Sequence, residues 1–294
     1  MKIGFLVLHY NEYEVTRCCI ESIINLENDA NDEVVILIVD NASTNDSGKL
    51  IEAYYRDNKC IQVLLLSNTT GFSYGNNLGY QAIKNEKLDF LVVCNNDIEF
   101  HQKDTLCCIK EAFIRTGYYV MGPDIYIPIK RKHDNPHHRE EWDEQFVNDR
   151  ISKLKAKMKV PIGRSIIKEL WWGSRINRWI AEKVPKKING FSNIEYNVTL
   201  SGACLVFSTR FMACNEYLFF PETPFYWEEE ILMHKCKINN WLVVYYPYLS
   251  VIHREGTATR KNMMGFIERR KEKAKVNIES AQIYLRYLKN KKAQ

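Results

Sequence analysis

The feature that most constrains this chain is a short apolar run that ends abruptly in polar residues. Leu88–Cys94 contains consecutive valines, which is typical of a buried strand, and Asn95, Asn96 and Asp97 follow it directly. Open α/β sheets bind ligands at the carboxyl ends of their strands, and a carboxylate there suits Mg²⁺ or Mn²⁺ carrying a diphosphate. The alternative is an ordinary turn, because Asn and Asp favour turns through local hydrogen bonds.

Strand and helix patterns alternate in the segments that precede this run. Strands are predicted at Lys2–Leu8, Glu33–Val39 and Ile61–Leu66, and helices at Glu14–Leu26, Asp46–Asn58 and Gly75–Asn85. This alternation predicts an α/β fold with a Rossmann-like, mostly parallel sheet flanked by helices. The crossovers between parallel strands should be right-handed.

Each predicted strand is followed by polar residues or glycine. The first is followed by His9-Tyr10-Asn11, the second by Asp40 to Ser43, and the third by Asn68 to Gly79. Polar groups that converge on one sheet edge indicate a nucleotide site more economically than unrelated turns do. The sequence has neither G-x-G-x-x-G after the first strand nor G-x-x-x-x-G-K-[ST], which excludes the dinucleotide fingerprint and the P-loop.

Composition bounds the class of protein. The chain has 294 residues, of which 46% are hydrophobic and 26% charged, as suits one large or two fused α/β units. Its nine cysteines include no C-x-x-C pair, which argues against a disulfide framework and a zinc ribbon. We recognise neither a secretory signal nor an apolar run of the ~18–20 residues that a spanning helix needs. We therefore expect a reduced, cytoplasmic protein.

The C-terminal tail carries most of the positive charge. From Arg260 onward the chain has 11 Lys and Arg against 3 Glu, although the whole chain has a net charge of only +5. Apolar residues recur there at helical spacing, namely Ile267, Ala274, Ile278, Ala281, Leu285 and Leu288. This pattern predicts a basic helix that packs on the body, lies on an anionic membrane surface or forms a dimer contact. Nucleic-acid binding is not favoured, because the remaining chain is mildly acidic and has no recognisable module.

Several short motifs occur together in a specific order and spacing. They are Val7-Leu8-His9-Tyr10-Asn11, Val39-Asp40-Asn41-Ala42-Ser43, Gly71-Phe72 to Asn77-Leu78-Gly79, Asn95-Asn96-Asp97, Ser201-Gly202-Ala203, Phe225-Tyr226-Trp227-Glu228-Glu229 and His253-Arg254-Glu255-Gly256. In this order the chain resembles family 2 glycosyltransferases of the GT-A fold. It most resembles their bacterial rhamnosyltransferase-like branch, which makes surface polysaccharides.

The resemblance implies a set of donor-binding residues. They are Tyr10, Asn11, Asp40, Asn68, Gly71, Asn77, Asn95 and Asn96. Tyr10 and Asn11 would cup the base, and Asp40 would hydrogen-bond the base or the ribose. The family usually has Asn-x-Gly before the third loop, whereas this chain has Thr69 at that Asn position and Asn68 one residue earlier. Asp40 as a turn former and Asn77 as a helix cap remain the structural alternatives.

The resemblance also implies a metal site and a general base. Asp97 matches the family's metal-binding carboxylate, and His253 matches a histidine that supplies a second contact to Mn²⁺ or Mg²⁺. Glu229 stands at the usual position of the base that deprotonates the acceptor, with Glu228 as the alternative, while Ile231 replaces a later acidic residue. Three glutamates at a helix start could instead serve the helix dipole.

The implied activity is inverting, metal-dependent transfer of a sugar from a UDP- or dTDP-sugar to a glycan hydroxyl. The acceptor would be a lipid-linked glycan in bacterial polysaccharide or O-antigen synthesis, at the inner face of the membrane. Residues 1–260 would form the GT-A domain, with a donor half (1–100) and an acceptor half (101–260) that contains a helical insert at about 125–195; the basic C-terminal helix would occupy 261–294. His133, His137 and His138 lack metal-ligand spacing, so we predict a solvated loop there.

Two other functions are compatible with parts of the sequence. A sugar-nucleotide pyrophosphorylase shares a similar α/β start, but it should have a glycine-rich, basic loop where this chain has His9-Tyr10-Asn11-Glu12. A non-catalytic sugar- or nucleotide-binding protein would bind its ligand without turnover.

Overall fold

The first half of the chain alternates strands with helices, as the sequence predicts. The computed structural model describes residues 1–68, 71–138, 143–159, 192–254 and 263–292. The first four strands are β1 (Lys2–His9), β2 (Glu33–Asp40), β3 (Ile61–Leu65) and β4 (Phe90–Asn95). The intervening helices are α1 (Tyr13–Ile24), α2 (Ser47–Tyr55) and α3 (Phe72–Ile83), the last followed by a 3₁₀ turn at Lys84–Glu86.

The second half adds shorter strands and more helices. In order these are β5 (Ile98–Glu99), α4 (Thr105–Thr116), β6 (Val120–Ile127), a 3₁₀ turn (Pro128–Lys130), β7 (Lys132–His133), α5 (Glu144–Lys159), β8 (Glu195–Tyr196), β9 (Cys204–Ser208), α6 (Thr209–Cys214), α7 (Glu228–Ile238), β10 (Val243–His253) and α8 (Met263–Lys292). Helix α5 lies in the segment predicted as a helical insert. The rest of that insert at 160–191, and Trp142, lie outside the described residues.

The described strands form one sheet with the order β3-β2-β1-β4-β9-β6-β10-β5. Strands β3, β2, β1 and β4 are parallel to one another, and β6 and β10 form a second parallel pair. Strand β9 runs antiparallel to both β4 and β6 and so joins the two parallel groups. The prediction of an α/β fold with a mostly parallel sheet flanked by helices is confirmed.

Helices cover both faces of the sheet because buried side chains alternate along the strands. On β1, Phe5 and Val7 face a core formed with α1, α2 and α4, whereas Leu6 faces a second core formed with α3, α6 and α7. A third cluster joins α5, α7 and α8 around Trp227. The described part of the tail is therefore a helix packed on the body, which agrees with the first of the three interpretations. No helix in the described ranges combines the length and apolarity needed to cross a membrane.

Candidate active site

Strand register brings the predicted polar residues to one edge of the sheet. His9 pairs with Asp40, and Leu8 pairs with Asn95 on the other side of β1. The residues that follow these strands therefore emerge side by side. Strand β10 reaches the same region from the far side of the sheet, because His253 pairs with Ile98 just after Asp97.

Two loops at this edge are fastened to each other through Asn11. Its backbone has a φ of 61°, in the left-handed region that asparagine tolerates better than most residues. Its N–H donates to Ser43 Oγ at 2.8 Å, and its Oδ1 accepts the N–H of Thr44 at 2.7 Å. Tyr10 beside it is 43% exposed. An exposed ring next to a fixed loop is suited to stack on a planar ligand.

Asp40 is a buried carboxylate held at the end of β2. Its Oδ1 accepts hydrogen bonds from the backbone N–H and the hydroxyl of Ser43. Its Oδ2 lies so close to Gly48, in the first turn of α2, that a Cβ at position 48 would collide with it. The positive end of the helix dipole favours a carboxylate there. Asp40 thus shapes its own turn, as the structural alternative expects, and it also places a carboxylate at the edge.

A polar network beneath this edge was not assigned a role from the sequence. His9 Nδ1 lies 2.6 Å from Thr16 Oγ1, and His9 Nε2 lies 2.9 Å from Ser47 Oγ. Asn96 Nδ2 donates to the same Thr16 oxygen at 2.9 Å. Burial lowers the pKa of His9, against the raising effect of Asp40, so the ring is neutral at pH 7. The only signal in the sequence was a histidine at the end of an otherwise apolar strand.

Gly71 and Asn77 connect α3 to the segment before α7. Gly71 has a φ of 92°, and the N–H of Phe72 donates to Pro224 O at 2.8 Å. A Cβ at position 71 would collide with that carbonyl. Asn77 accepts the N–H groups of Leu218 and Phe219, both at 3.0 Å, and its Nδ2 donates to Phe219 O. The amide of Asn77 is therefore engaged inside the fold, whereas Asn68 is exposed at the end of β3.

The two residues predicted to bind a metal lie in contact, although they are 156 positions apart in the chain. His253 Nε2 is 3.2 Å from Asp97 Oδ1, and the N–H of Arg254 donates to Asp97 O at 2.8 Å. Adjacent ligands of an octahedral Mg²⁺ at ~2.1 Å lie about 3.0 Å apart, so one carboxylate oxygen and one imidazole nitrogen at this spacing fit a shared cation. Among the described residues no group of three or more His, Cys, Asp or Glu side chains could hold a metal. Water or a bound phosphate group would complete the coordination.

Glu228 and Glu229 have different environments at the start of α7. Glu228 is 6% exposed, and its Oε2 has no hydrogen-bond partner among the described residues. Burial, followed by the charge of Glu229, raises its pKa well above the ordinary value. Glu229 is partly exposed, and its Oε1 accepts the N–H of Gly202 at 3.1 Å. Burial and the charge of Glu230 raise the pKa of Glu229 to about 7, so at neutral pH this carboxyl can both accept and release a proton.

Loop 132–135 lies beside these glutamates and corrects one sequence interpretation. His133 is in strand β7, and its Nδ1 lies 2.8 Å from Oδ1 of the buried Asp124. Tyr245 donates to the same oxygen at 3.1 Å. The prediction of a solvated loop at His133 is therefore wrong. Next to it, Asp134 accepts the hydroxyl of Ser201 at 3.1 Å, which ties this loop to the segment that holds Glu229.

The comparisons with known proteins agree with this architecture. The family model described as glycosyl transferase family 2 matches residues 5–174. No significant match was found among curated protein sequences. Many solved structures match the fold.

The structural matches are distant in sequence. S. aureus TarS 1–349 is 17% identical, with a TM-score of 0.53 over 86% of this chain and 60% of that one. The mannosyltransferase PcManGT from Pyrobaculum calidifontis, in complex with GDP-Man and Mn²⁺, is 10% identical, with a TM-score of 0.54 over 96% of this chain and 64% of that one. GalNAc-T7 with UDP, GalNAc and Mn²⁺ is 12% identical, with a TM-score of 0.54 over 86% of this chain and 44% of that one. The chain thus spans less than two thirds of the length of each of these structures. They show a GT-A glycosyltransferase fold, and the family model, which covers more than half of the sequence, shows that the chain belongs to glycosyl transferase family 2.

Proposed function

We propose that this protein is a metal-dependent glycosyltransferase that moves a sugar from a nucleoside-diphosphate sugar to a hydroxyl group. The observation that carries this proposal is the Asp97–His253 contact at the carboxyl edge of the sheet. Solved structures of the same fold contain UDP, UDP-GlcNAc or GDP-Man, and two of them contain Mn²⁺. These relatives support a nucleotide-sugar donor and a divalent metal.

In this proposal the edge of the sheet binds the donor from base to diphosphate. The exposed ring of Tyr10 stacks on the base, and the loop fixed by Asn11 and the carboxylate of Asp40 contact the base or ribose. Asn95 and Asn96 lie between this pocket and Asp97, where the diphosphate would run. Gly71 and Asn77 hold α3 in place beside the donor, because their contacts are to backbone groups of the neighbouring segment. Asn68 is exposed and lies at the outer margin of this donor site.

Asp97 and His253 would hold Mn²⁺ or Mg²⁺, which when bound supplies Lewis-acid stabilisation of the leaving diphosphate. Glu229 accepts the proton of the acceptor hydroxyl. At the same time the hydroxyl oxygen forms a bond to the anomeric carbon of the sugar, and the bond between that carbon and the diphosphate breaks. This single displacement inverts the anomeric centre and needs no covalent sugar–enzyme intermediate. Glu228 is less suited to this step because it is buried away from an incoming acceptor and burial raises its pKa well above the ordinary value. Residues 1–100 would carry the donor half of the site, and 101–260 the acceptor half.

The proposed acceptor and location are supported by the surface of α8. Four exposed basic side chains share one face of the helix, namely Lys271, Lys275, Arg286 and Lys289, with the exposed Glu272 and Glu279 beside them. We propose that this basic face contacts an anionic membrane surface and brings the enzyme to a lipid-linked glycan, with UDP or dTDP as the donor nucleotide, in bacterial polysaccharide or O-antigen synthesis. A homodimer through α8 is the alternative use of this face.

Vesicle co-sedimentation tests the membrane contact. Each Lys near an anionic surface contributes about 1 kcal/mol, so replacing Lys271, Lys275 and Lys289, which share one face of α8, by Gln should weaken binding to phosphatidylserine-containing vesicles by about 10²-fold. Binding to pure phosphatidylcholine should be negligible for both proteins. The control is a second triple variant in which Lys49, Lys59 and Lys84 are replaced by Gln. It has the same net charge as the first triple variant. Equal binding by the two triple variants would contradict a role for α8, and a concentration-dependent mass would favour the dimer.

A thermal-shift panel tests the donor and the metal together. UDP, dTDP, GDP and CMP are each added with and without Mn²⁺, because a ligand that binds only the folded state raises the melting temperature. We expect one diphosphate to give a shift of several degrees that requires the metal. A shift without sugar transfer to any acceptor would favour the non-catalytic binding protein. Release of pyrophosphate from a sugar phosphate and a nucleoside triphosphate would favour the pyrophosphorylase.

A further inference from the structure

The turn that leads into the acidic start of α7 has an unusual backbone. Tyr226 and Trp227 have φ values of 70° and 68°. Bulky residues rarely adopt this left-handed region, and such conformations persist only where surrounding contacts determine them. Glu228 and Glu229 follow immediately, so the direction of this turn sets the direction of both carboxyl groups.

Several of the contacts that hold the turn come from the C-terminal helix, and Phe146 of α5 also packs on Trp227. Ser280 is fully buried, and its Oγ donates to Phe225 O at 2.7 Å. One turn earlier on α8, Asn277 Oδ1 accepts the indole N–H of Trp227 at 3.1 Å. The indole ring also packs on Tyr284, with a centroid distance of 5.7 Å. One helix thus makes a hydrogen bond to the residue before the two left-handed residues, and a hydrogen bond and a ring contact to the second of them.

We infer that α8 is a clamp that sets the position of the catalytic carboxylate, and that Asn277 and Ser280 are its positioning residues. Neither residue contacts Glu229. Both act through the 225–227 turn, which they contact and which leads directly into the start of α7. This inference rests on the proposed role of Glu229 as the base, and it gives the tail a function in the reaction that is independent of any membrane contact.

The clamp is tested with Asn277→Ala, Ser280→Ala and the double variant. We expect the double variant to lower kcat at least 10-fold while the donor KM stays within 2-fold, because the donor edge lies on other elements. The acidic limb of the pH–kcat profile should move to lower pH, since a looser turn exposes the Glu229 carboxylate to water. Asn277→Asp keeps an oxygen acceptor for the indole N–H and should retain most of the activity.

Leu288→Ala is the matched control. Leu288 is buried in the same helix and cluster, so this variant weakens the packing of α8 without removing a contact to the turn. Hydrogen exchange of segment 225–231 gives a readout that does not depend on activity, and it should rise in the double variant more than in Leu288→Ala. Equal kinetics and equal exchange in these two variants would overturn the clamp. If Glu229→Gln were fully active, the assignment of the base would fail, while the exchange comparison would still decide whether α8 holds the turn.

Discussion

Replacing Asp97 by asparagine is expected to weaken strongly both metal-dependent donor binding and sugar transfer. Asparagine keeps the shape of the side chain but removes the negative charge that a hard cation requires. Loss of a metal that stabilises a leaving diphosphate removes several kcal/mol of transition-state stabilisation, and each 1.36 kcal/mol is a factor of ten in rate. We therefore expect a fall in kcat/KM of about 10²–10³, measured by transfer assays at saturating Mn²⁺.

The controls separate the metal contact from charge and folding. Asp46→Asn removes one carboxylate near the same sheet edge, but this side chain is 80% exposed and pairs with Lys49. It should keep near-normal activity. His253→Gln should have a milder effect, about 10–100-fold, partly restored by more Mn²⁺. An unchanged metal-dependent thermal shift in Asp97→Asn would remove Asp97 from the metal site.

The first half of the fold could be predicted from the sequence because its signals are local. Apolar runs alternate with amphipathic segments in β1 to β4, and each predicted element is present within a few residues of its expected bounds. The largest shift of a helix start is at α3, which begins at Phe72 instead of Gly75. Gly71 turns the chain with a positive φ, and the carbonyl of Pro224 accepts the first N–H of the helix. Pro224 is distant in sequence, so no local sequence pattern predicts that α3 begins at Phe72.

The second half of the fold was less predictable because long-range pairing defines it. Strand β5 has two residues and exists only because Ile98 and Glu99 pair with the end of β10. His133 lacks metal-ligand spacing in the sequence, yet the sheet places it against the buried Asp124. From the sequence, Asn77 could contact a nucleotide-sugar donor or cap a helix. Its hydrogen-bond partners at 218 and 219 were visible only in the structure.

The candidate site shows the same division. Motif order identifies Asp97 and His253 as a possible pair, but only the register of β10 brings them within 3.2 Å. The choice between Glu228 and Glu229 depends on burial, which successive residues of one acidic run do not reveal. The left-handed turn before them has no glycine to mark it, since Tyr226 and Trp227 are held there by tertiary contacts.

Replacing Glu229 by glutamine is expected to lower kcat by about 10²–10⁴, the range that general-base catalysis contributes. Glutamine keeps an oxygen that can accept the Gly202 N–H, but it cannot take a proton from the acceptor. Wild-type kcat should rise with pH through about 7, where Glu229 loses its proton, and the residual activity of the variant should lack this limb. Glu222→Gln, at an exposed position before α7, is the charge-matched control.

Gly202→Ala tests the position of the Glu229 carboxylate without removing the carboxylate. A Cβ at position 202 would lie 2.6 Å from Glu229 Oε1, so the carboxylate must shift while remaining ionisable. The contact is with the end of a flexible side chain, and the fold should therefore tolerate it. We expect a loss of about 10-fold in kcat with the pH limb retained. A full loss of the limb would instead indicate that Gly202 contributes more than a hydrogen bond.

Stability should change in the direction opposite to activity. The folded-state pKa of Glu229 is about 7 against 4.5 for the free side chain. Between these values the folded protein keeps a proton that the unfolded chain releases, so the wild type loses stability as pH rises from 4.5 through 7. The full difference is about 3 kcal/mol at 1.36 kcal/mol per unit of pKa, and Glu229→Gln avoids it. The variant should therefore melt higher than the wild type at pH 8 and at nearly the same temperature at pH 5. A residue that merely caps α7 would lose stability on this replacement, so a lower melting temperature at pH 8 together with retained activity would identify Glu229 as structural.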